Sequence, residues 1–448
     1  MKAFSRYVSD VRSAAVSSMS TGQSPQRLVS NVVLKTIADV VSKSVTLIVA
    51  VVAARVFSAS DFGVLAMALT TGWLLSVASD AGLPLFLAKE AAQPSTGHPL
   101  SLTSVLRVIR IRTVLGACAL ACGALVGSIV SPRGSVLAFV LILLAQLATA
   151  VVDTVSHAYR GVGRSDIESL LTLSVRVTTG VVAVALLLVS PSLLGLAIVL
   201  AALPLCALLI SLGIAARLFP RQAADATLDL SGRRFAGEIG PIGAGILVSA
   251  LYFRCDVYFV EWWHGLDMVG VYNAAFRIVE ALRLFPAAVL AVAFPALCRA
   301  RNAQPVRQLG LLLLAGGSLL MMALLVLAPA ILDVLYGPRF VAAGLALQIL
   351  ALALPLFFAN YALTHQVIAW QGQHAYFAIT LVALAANLVG NVTLIPTYGM
   401  VGAAVSTLAT EVVVSAGCLV TLMRMRRPAH LSSVAAVVDL TTHSVRVQ

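Results

Sequence analysis

Charged residues are scarce in this chain. They make up only 11% of its 448 positions, against roughly 25% in soluble domains, which excludes a water-covered globule of ordinary surface. Acids are scarcer than bases: 18 Asp and Glu stand against 30 Lys and Arg, a formal charge of +12. The excess does not point to nucleic acid, because the basic residues are dispersed between apolar runs and form no patch. Cysteine is sparse, at six residues. Cys118, Cys122, Cys206, Cys255 and Cys418 fall inside apolar stretches and Cys298 at the end of one; none has a histidine at metal-ligand spacing. The expectation is no disulfide, no metal and no cofactor. No GxxxxGK[ST] loop is present, so a P-loop phosphate cradle is absent. Residues 1–30 are polar, basic and serine-rich and lack the apolar core of a cleavable signal. The first span is expected to target the chain and to stay.

What the chain has in abundance is apolar length. Sixty per cent of it is hydrophobic, with a mean hydropathy of +0.99. A membrane helix needs roughly 20 apolar residues, and runs of that kind recur throughout. They read as spans at 31–56, 63–88, 112–131, 135–158, 168–190 and 193–216, then at 238–262, 269–297, 308–331, 342–366, 374–395 and 399–423. The predicted fold is an all-α integral membrane protein of about 12 transmembrane helices in two six-helix bundles. Its parts are a tail (1–30), an N-terminal lobe (31–216), a linker (217–237), a C-terminal lobe (238–423) and a second tail (424–448). Pro84, Pro204, Pro286 and Pro355 fall inside spans and predict kinks or breaks, which membrane helices tolerate.

Two patterns support twelve crossings. Under this assignment 21 Lys and Arg fall on the side holding both tails, and only Arg55, Arg133 and Arg339 on the other. Basic loops stay cytoplasmic, so both termini are expected there. The chain also echoes itself: Gly63-Val64 and Gly270-Val271, and Gly195-Leu196-Ala197 and Gly402-Ala403-Ala404, are each 207 residues apart, and Pro132-Arg133 and Pro338-Arg339 are 206 apart. Two parallel repeats of one topology place a binding site at their interface.

Six basic residues remain within spans: Lys35, Lys43, Arg176, Arg254, Arg277 and Arg283. A mid-bilayer charge costs roughly 2.5–3.5 kcal/mol on insertion scales, so these must meet acids, water or a ligand. Lys35, Asp39 and Lys43 follow i, i+4, i+8 on one helical stripe; Lys35 can alternatively snorkel to the interface. In the eighth span Arg277 can pair with Glu280, one turn from Asn273. Arg254, Arg277 and Arg283 outnumber the nearby Asp256 and Glu280, which predicts a cation left over for an anion. An internal salt-bridge network that only holds helices together is the plainer reading. Arg176 either lines a groove or pairs with Asp153. Glu411 has no obvious partner in sequence. Lysine and arginine together suit phosphate, arginine by fork-like contacts and lysine as a point charge. Trp262 and Trp263 fit an interfacial aromatic belt, and His157, His264, His365 and His374 fall at span ends.

Several strings resemble a known family. They are Asp256-Val-Tyr-Phe-Val, Val269-Gly-Val-Tyr-Asn-Ala-Ala-Phe-Arg277-Ile-Val-Glu280, Phe294-Pro-Ala-Leu, and Asn387-Leu-Val-Gly-Asn391-Val-Thr-Leu-Ile395-Pro-Thr-Tyr-Gly399-Met-Val-Gly-Ala-Ala404 followed by Glu411. Ala54-Arg55-Val-Phe-Ser-Ala-Ser-Asp61, Leu335-Tyr-Gly-Pro-Arg-Phe340 and Gln348-Ile-Leu-Ala-Leu-Ala-Leu-Pro355 add to them. Over roughly residues 30–425 the chain resembles the polysaccharide-transporter (Wzx-like) family of the MOP flippase superfamily. The resemblance implies a two-lobed alternating-access transporter, not an enzyme, in the bacterial plasma membrane. The implied cargo is an undecaprenyl-pyrophosphate-linked oligosaccharide for lipopolysaccharide, capsule or exopolysaccharide, handled beside glycosyltransferases and a polymerase. It maps the substrate-binding cations onto Lys43, Arg254 and Arg277, with Lys35, Arg283 and Asn273 beside them, and makes Asp39, Glu280 and Glu411 candidates for ion coupling.

Three rivals carry different expectations. A drug or small-cation antiporter of the same superfamily should present net acidic spans. A glycan polymerase or ligase should carry a large outer loop, whereas the outer loops predicted here are short. A major-facilitator transporter should show Gly-x-x-x-Asp-Arg in the second loop, and that string is missing.

Overall fold

The computed structural model describes residues 25–92, 100–220, 240–286, 289–290, 304–370 and 372–425. The tails at 1–24 and 426–448, most of the predicted linker (221–237), Cys298, and the end of the predicted eighth span with Phe294-Pro-Ala-Leu lie outside the described residues.

The described chain is helical throughout. In the first half α1 (Pro25–Val56), α2 (Ala59–Ala78), α3 (Leu83–Ala92), α4 (Leu102–Val130), α5 (Val136–Gly161), α6 (Ser165–Val189) and α7 (Leu193–Leu218) follow one another. The second half holds α8 (Gly240–Arg254), α9 (Asp256–Leu282), α10 (Gln304–Tyr336), α11 (Gly344–Leu352), α12 (Leu354–Ala369) and α13 (Gln373–Met425). Among the described residues, ten segments are long and apolar enough to cross a membrane. Two of these, Gly243–Pro286 and Gln373–Met425, contain residues outside the helical region, Gly265 (φ 76°) and Gly399 (φ 54°). Glycine takes positive φ without a Cβ clash, so each segment turns there and forms two limbs. That gives about twelve crossings, the number expected from the sequence.

Local chemistry sets the helix starts. Ser58, Ser101 and Ser192 accept the backbone N–H of Asp61, Ser104 and Gly195 at 3.0, 3.2 and 3.2 Å, each cap contributing about 1 kcal/mol. Pro84 and Pro355 open new helices after short breaks, where their missing N–H is harmless. Pro204 sits inside an unbroken α7. The third span begins at Leu102, ten residues before the expected boundary. Arg107, Arg110 and Arg112 therefore lie on a helix and not in a loop. Arg112 is buried, 3.4 Å from Asp80 and bonded to the Ser76 carbonyl at 3.2 Å, so its charge is satisfied where composition alone suggested a loop.

Pairing within the halves is parallel. The first span packs on the fifth, α1 on α6, and its repeat equivalent, α8, packs on the first limb of α13. The fourth span packs on the sixth, and the tenth on the twelfth. Large apolar side chains such as Ile129, Val189, Leu209, Leu319 and Val326 point outward, as they must where the surroundings are lipid.

The halves meet most closely between α2 and α9. A Cβ on Gly63 would stand 2.0 Å from the Leu266 carbonyl oxygen, and one on Gly270 would stand 2.4 Å from that of Ala59. Gly63 and Gly270, like Ala59 and Leu266, are 207 residues apart. Such reciprocity is the mark of a two-fold relation, so the repeat read in sequence is present as a contact. The same end is pinned by two arginines. Arg55 donates to the Leu335 carbonyl at 2.8 Å and to that of Val334, and Arg339 donates to the carbonyls of Ala54 and Phe57. Each guanidinium thus caps the C-terminal end of a helix in the other half, where carbonyls lack intrahelical partners. Phe62 and Phe340 pack edge-to-face beside them, 5.8 Å apart.

Candidate functional site: a polar cavity between the halves

Below the sealed end, the halves part around a cavity of about 350 Å³. Its charged lining comprises Lys43, Asp153 and Arg176 from the first half and Arg254, Arg277 and Glu280 from the second. Four are basic and two acidic. Among apolar neighbours, Ser42, Thr46, Trp73, Ser76, Gln146 and Thr149 stand on the first-half wall and Asn273 on the second.

Arg254 is buried at the C-terminal end of α8. One nitrogen lies 3.2 Å from Glu280 and another 3.4 Å from the Asn273 side-chain oxygen, while the Phe276 ring lies beneath the guanidinium at 4.4 Å. Arg277 reaches Glu280 at 2.9 Å, the i, i+3 pair the sequence predicted. Two arginines therefore share one carboxylate, and Arg277 keeps a buried nitrogen without a partner. Asp256 acts on Arg254 only through space and forms no ion pair with either arginine among the described residues: it accepts from the Tyr272 hydroxyl and from the Val257 amide. Across the cavity, Lys43 and Arg176 make no hydrogen bond or ion pair with the described residues. Arg176 and Asp153 share the wall, close enough to interact electrostatically but without an ion pair, so Arg176 lines the groove and the expected pairing with Asp153 is not made.

Other predicted site residues lie elsewhere. Lys35 bonds Asp39 and Glu168, both at 2.9 Å, and Arg160 pairs with the same Glu168; this network belongs to the first half alone, and neither Lys35 nor Asp39 lines the cavity. Arg283 stacks on Phe253 and Phe357 at 3.8 and 4.3 Å, which satisfies much of a cation's need by its attraction to ring faces. Glu411, without a partner in sequence, has one in space: Asn360 donates to its carboxylate at 2.7 Å and to its carbonyl at 3.1 Å. Ser415 donates to the Asn360 oxygen at 2.7 Å, completing a buried polar cluster between the tenth and twelfth spans.

The residues that composition passed over are Trp73, Gln146 and Thr149. Their signal was present: Gln146, Thr149 and Asp153 recur at helical spacing in an otherwise apolar span, and Trp73 lies in mid-span, away from any aromatic belt.

A two-lobed bundle with a polar, mostly basic chamber between its halves defines a membrane transporter fold. The sequence model of the family described as polysaccharide biosynthesis protein matches residues 28–301, and the chain belongs to that family. A probable flippase, AglR of Haloferax volcanii, is 27% identical over 169 residues. That match covers 35% of each chain, so the alignment spans about a third of the relative's length. Among solved structures, the lipid II flippase MurJ in an inward closed conformation superposes with a TM-score of 0.67 at 15% identity, covering 87% of both chains. An inward-facing multidrug resistance MATE family transporter of the MOP superfamily gives 0.58 at 13% identity, over 86% of this chain and 94% of its own. The fold is that of the MOP superfamily.

Proposed function

We propose that this protein is a flippase for lipid-linked oligosaccharide, an undecaprenyl-pyrophosphate glycan used in surface polysaccharide synthesis. It works without covalent chemistry, by rocking its halves about the cavity. The observation that carries this reading is the cavity wall. Arg254 and Arg277 share one acid, while Lys43 and Arg176 face them with no bonded partner among the described residues. A pyrophosphate supplies the missing negative charge, and the fork geometry of arginine suits its oxygens. The distribution of basic residues supports placement in the bacterial inner membrane with both termini cytoplasmic. Glycosyltransferases upstream and a polymerase downstream are the partners this role requires. Glu411 with Asn360, and Glu280 within the cavity, are the carboxylates available for ion coupling.

The test is genetic. Deletion in the host should leave lipid-linked oligosaccharide on the cytoplasmic leaflet. Complementation with Arg254→Ala or Arg277→Ala should restore surface polysaccharide at least tenfold less well than the parent. Full restoration by both variants at equal expression contradicts the reading. The fold likeness to MATE transporters favours a second reading, export of small organic cations. It requires cation-dependent drug efflux, and Arg277→Ala should strengthen that efflux by removing a repelling charge.

A further inference from the structure

Beside its cations the cavity carries a row of hydrogen-bond acceptors, and that row assigns a second subsite. Arg254 and Arg277 donate from the second-half wall, as Lys43 and Arg176 do from the first. Next to Lys43 and Arg176, the first-half wall also holds the acceptors. The hydroxyls of Thr46, Ser76 and Thr149 are already spent on carbonyls of their own helices, at 2.9, 2.7 and 2.9 Å, so what remains for a ligand is oxygen lone pairs. Gln146 gives its amide nitrogen to the Leu69 carbonyl at 3.4 Å and packs against Gly72, where a Cβ would meet its side chain at 2.8 Å. Its carboxamide oxygen accepts nothing from the described residues. Beside this row stands Trp73, which lines the cavity and is 37% exposed, held at 72° to the Phe253 ring, 6.3 Å away.

We infer that Trp73 and this acceptor row bind the sugar ring next to the pyrophosphate. A pyranose has a C–H face that packs on an indole and a rim of hydroxyls that donate outward. Phosphate has neither, and a hydrocarbon tail has no donors. A cavity of about 350 Å³ sits at the low end of small-molecule sites, roughly 300–1,000 Å³, and holds the first sugar rather than a whole repeat unit. The subsite rests on the flippase reading: the cations take the anion, and Trp73 with the acceptor row beside it reads what is attached to it.

The experiment uses full-length protein in nanodiscs with Trp262, Trp263 and Trp370 replaced by Phe, so that emission reports Trp73 alone. Two probes are titrated, undecaprenyl pyrophosphate and the lipid-linked oligosaccharide extracted from the deletion strain. The expected result is that both bind but only the sugar-bearing lipid shifts Trp73 emission. In otherwise native protein, Trp73→Ala should weaken the sugar-bearing lipid about tenfold, leave the sugarless lipid unchanged, and be partly rescued by Trp73→Phe. If both lipids bind with no shift and Trp73→Ala binds them as the parent does, the subsite is wrong and the flippase reading survives. If the parent binds neither lipid, both fall together.

Discussion

At the residue scale, the buried charges fall into three kinds, and each predicts a different defect. Arg254 and Arg277 share Glu280. Glu280→Gln removes the only acid bonded to the two arginines among the described residues and should strengthen anion binding while slowing release. Titrating undecaprenyl pyrophosphate against the parent and variant checks the first part. Arg277→Lys keeps the charge but loses the fork, and complementation should fall between parent and Arg277→Ala. Glu411 is of the second kind, its buried carboxylate held by Asn360 at 2.7 Å. Asn360→Leu strands that group and should cost about 1–3 kcal/mol, seen as a lower midpoint of thermal unfolding in detergent. Lys35 is of the third kind. It sits in a first-half ion network, so Lys35→Met should lower the unfolding midpoint more than it lowers affinity for undecaprenyl pyrophosphate. The reverse order would return Lys35 to the binding site.

At the element scale, the contact between α2 and α9 is made possible by two missing side chains. Gly270→Val places a Cβ 2.4 Å from the Ala59 carbonyl oxygen, inside contact distance, and the halves cannot then close at that end. The variant should fold, since each half packs around its own helices, yet fail to complement. The crossed arginines act on the same closure. Hydrogen bonds to charged groups contribute roughly 1.5–3 kcal/mol when well sheltered, enough to bias a two-state equilibrium. Arg55→Ala with Arg339→Ala should lengthen the distance between spin labels at Ser58 and Leu345, read by pulsed electron resonance in a background without other cysteines. An unchanged distance distribution would mean that the glycines and Phe62 hold the end alone. Alternating access needs this end to open, so such a shift is expected to change transport rate in step.

At the scale of the whole molecule, much of the architecture was legible because membrane folding leaves few options. Apolar length reports a span directly, and the start of the third span was missed because Arg107, Arg110 and Arg112 read as a loop, whereas Arg107 and Arg110 turn to the exposed side of the helix and Arg112 meets Asp80 and the Ser76 carbonyl. The repeat was legible because Gly63 and Gly270 are fixed by one close approach on either side of one axis. The site was half legible. Arg277 and Glu280 lie one turn apart, so spacing revealed them; Asn360 and Glu411 are 51 residues apart, and only packing could join them. Trp73 reads as core in sequence until the cavity is known to open beside it. These parts converge on one claim, that a lipid-linked glycan crosses the membrane through this chamber. The most direct test is to reconstitute the purified protein in vesicles carrying the deletion strain's lipid-linked oligosaccharide in one leaflet, and to follow its appearance in the other with an enzyme that cannot enter. The expected result is translocation by the parent protein and near-background transfer by Arg254→Ala with Arg277→Ala. Equal transfer by parent and double variant, or none by either while drug efflux proceeds, would contradict it.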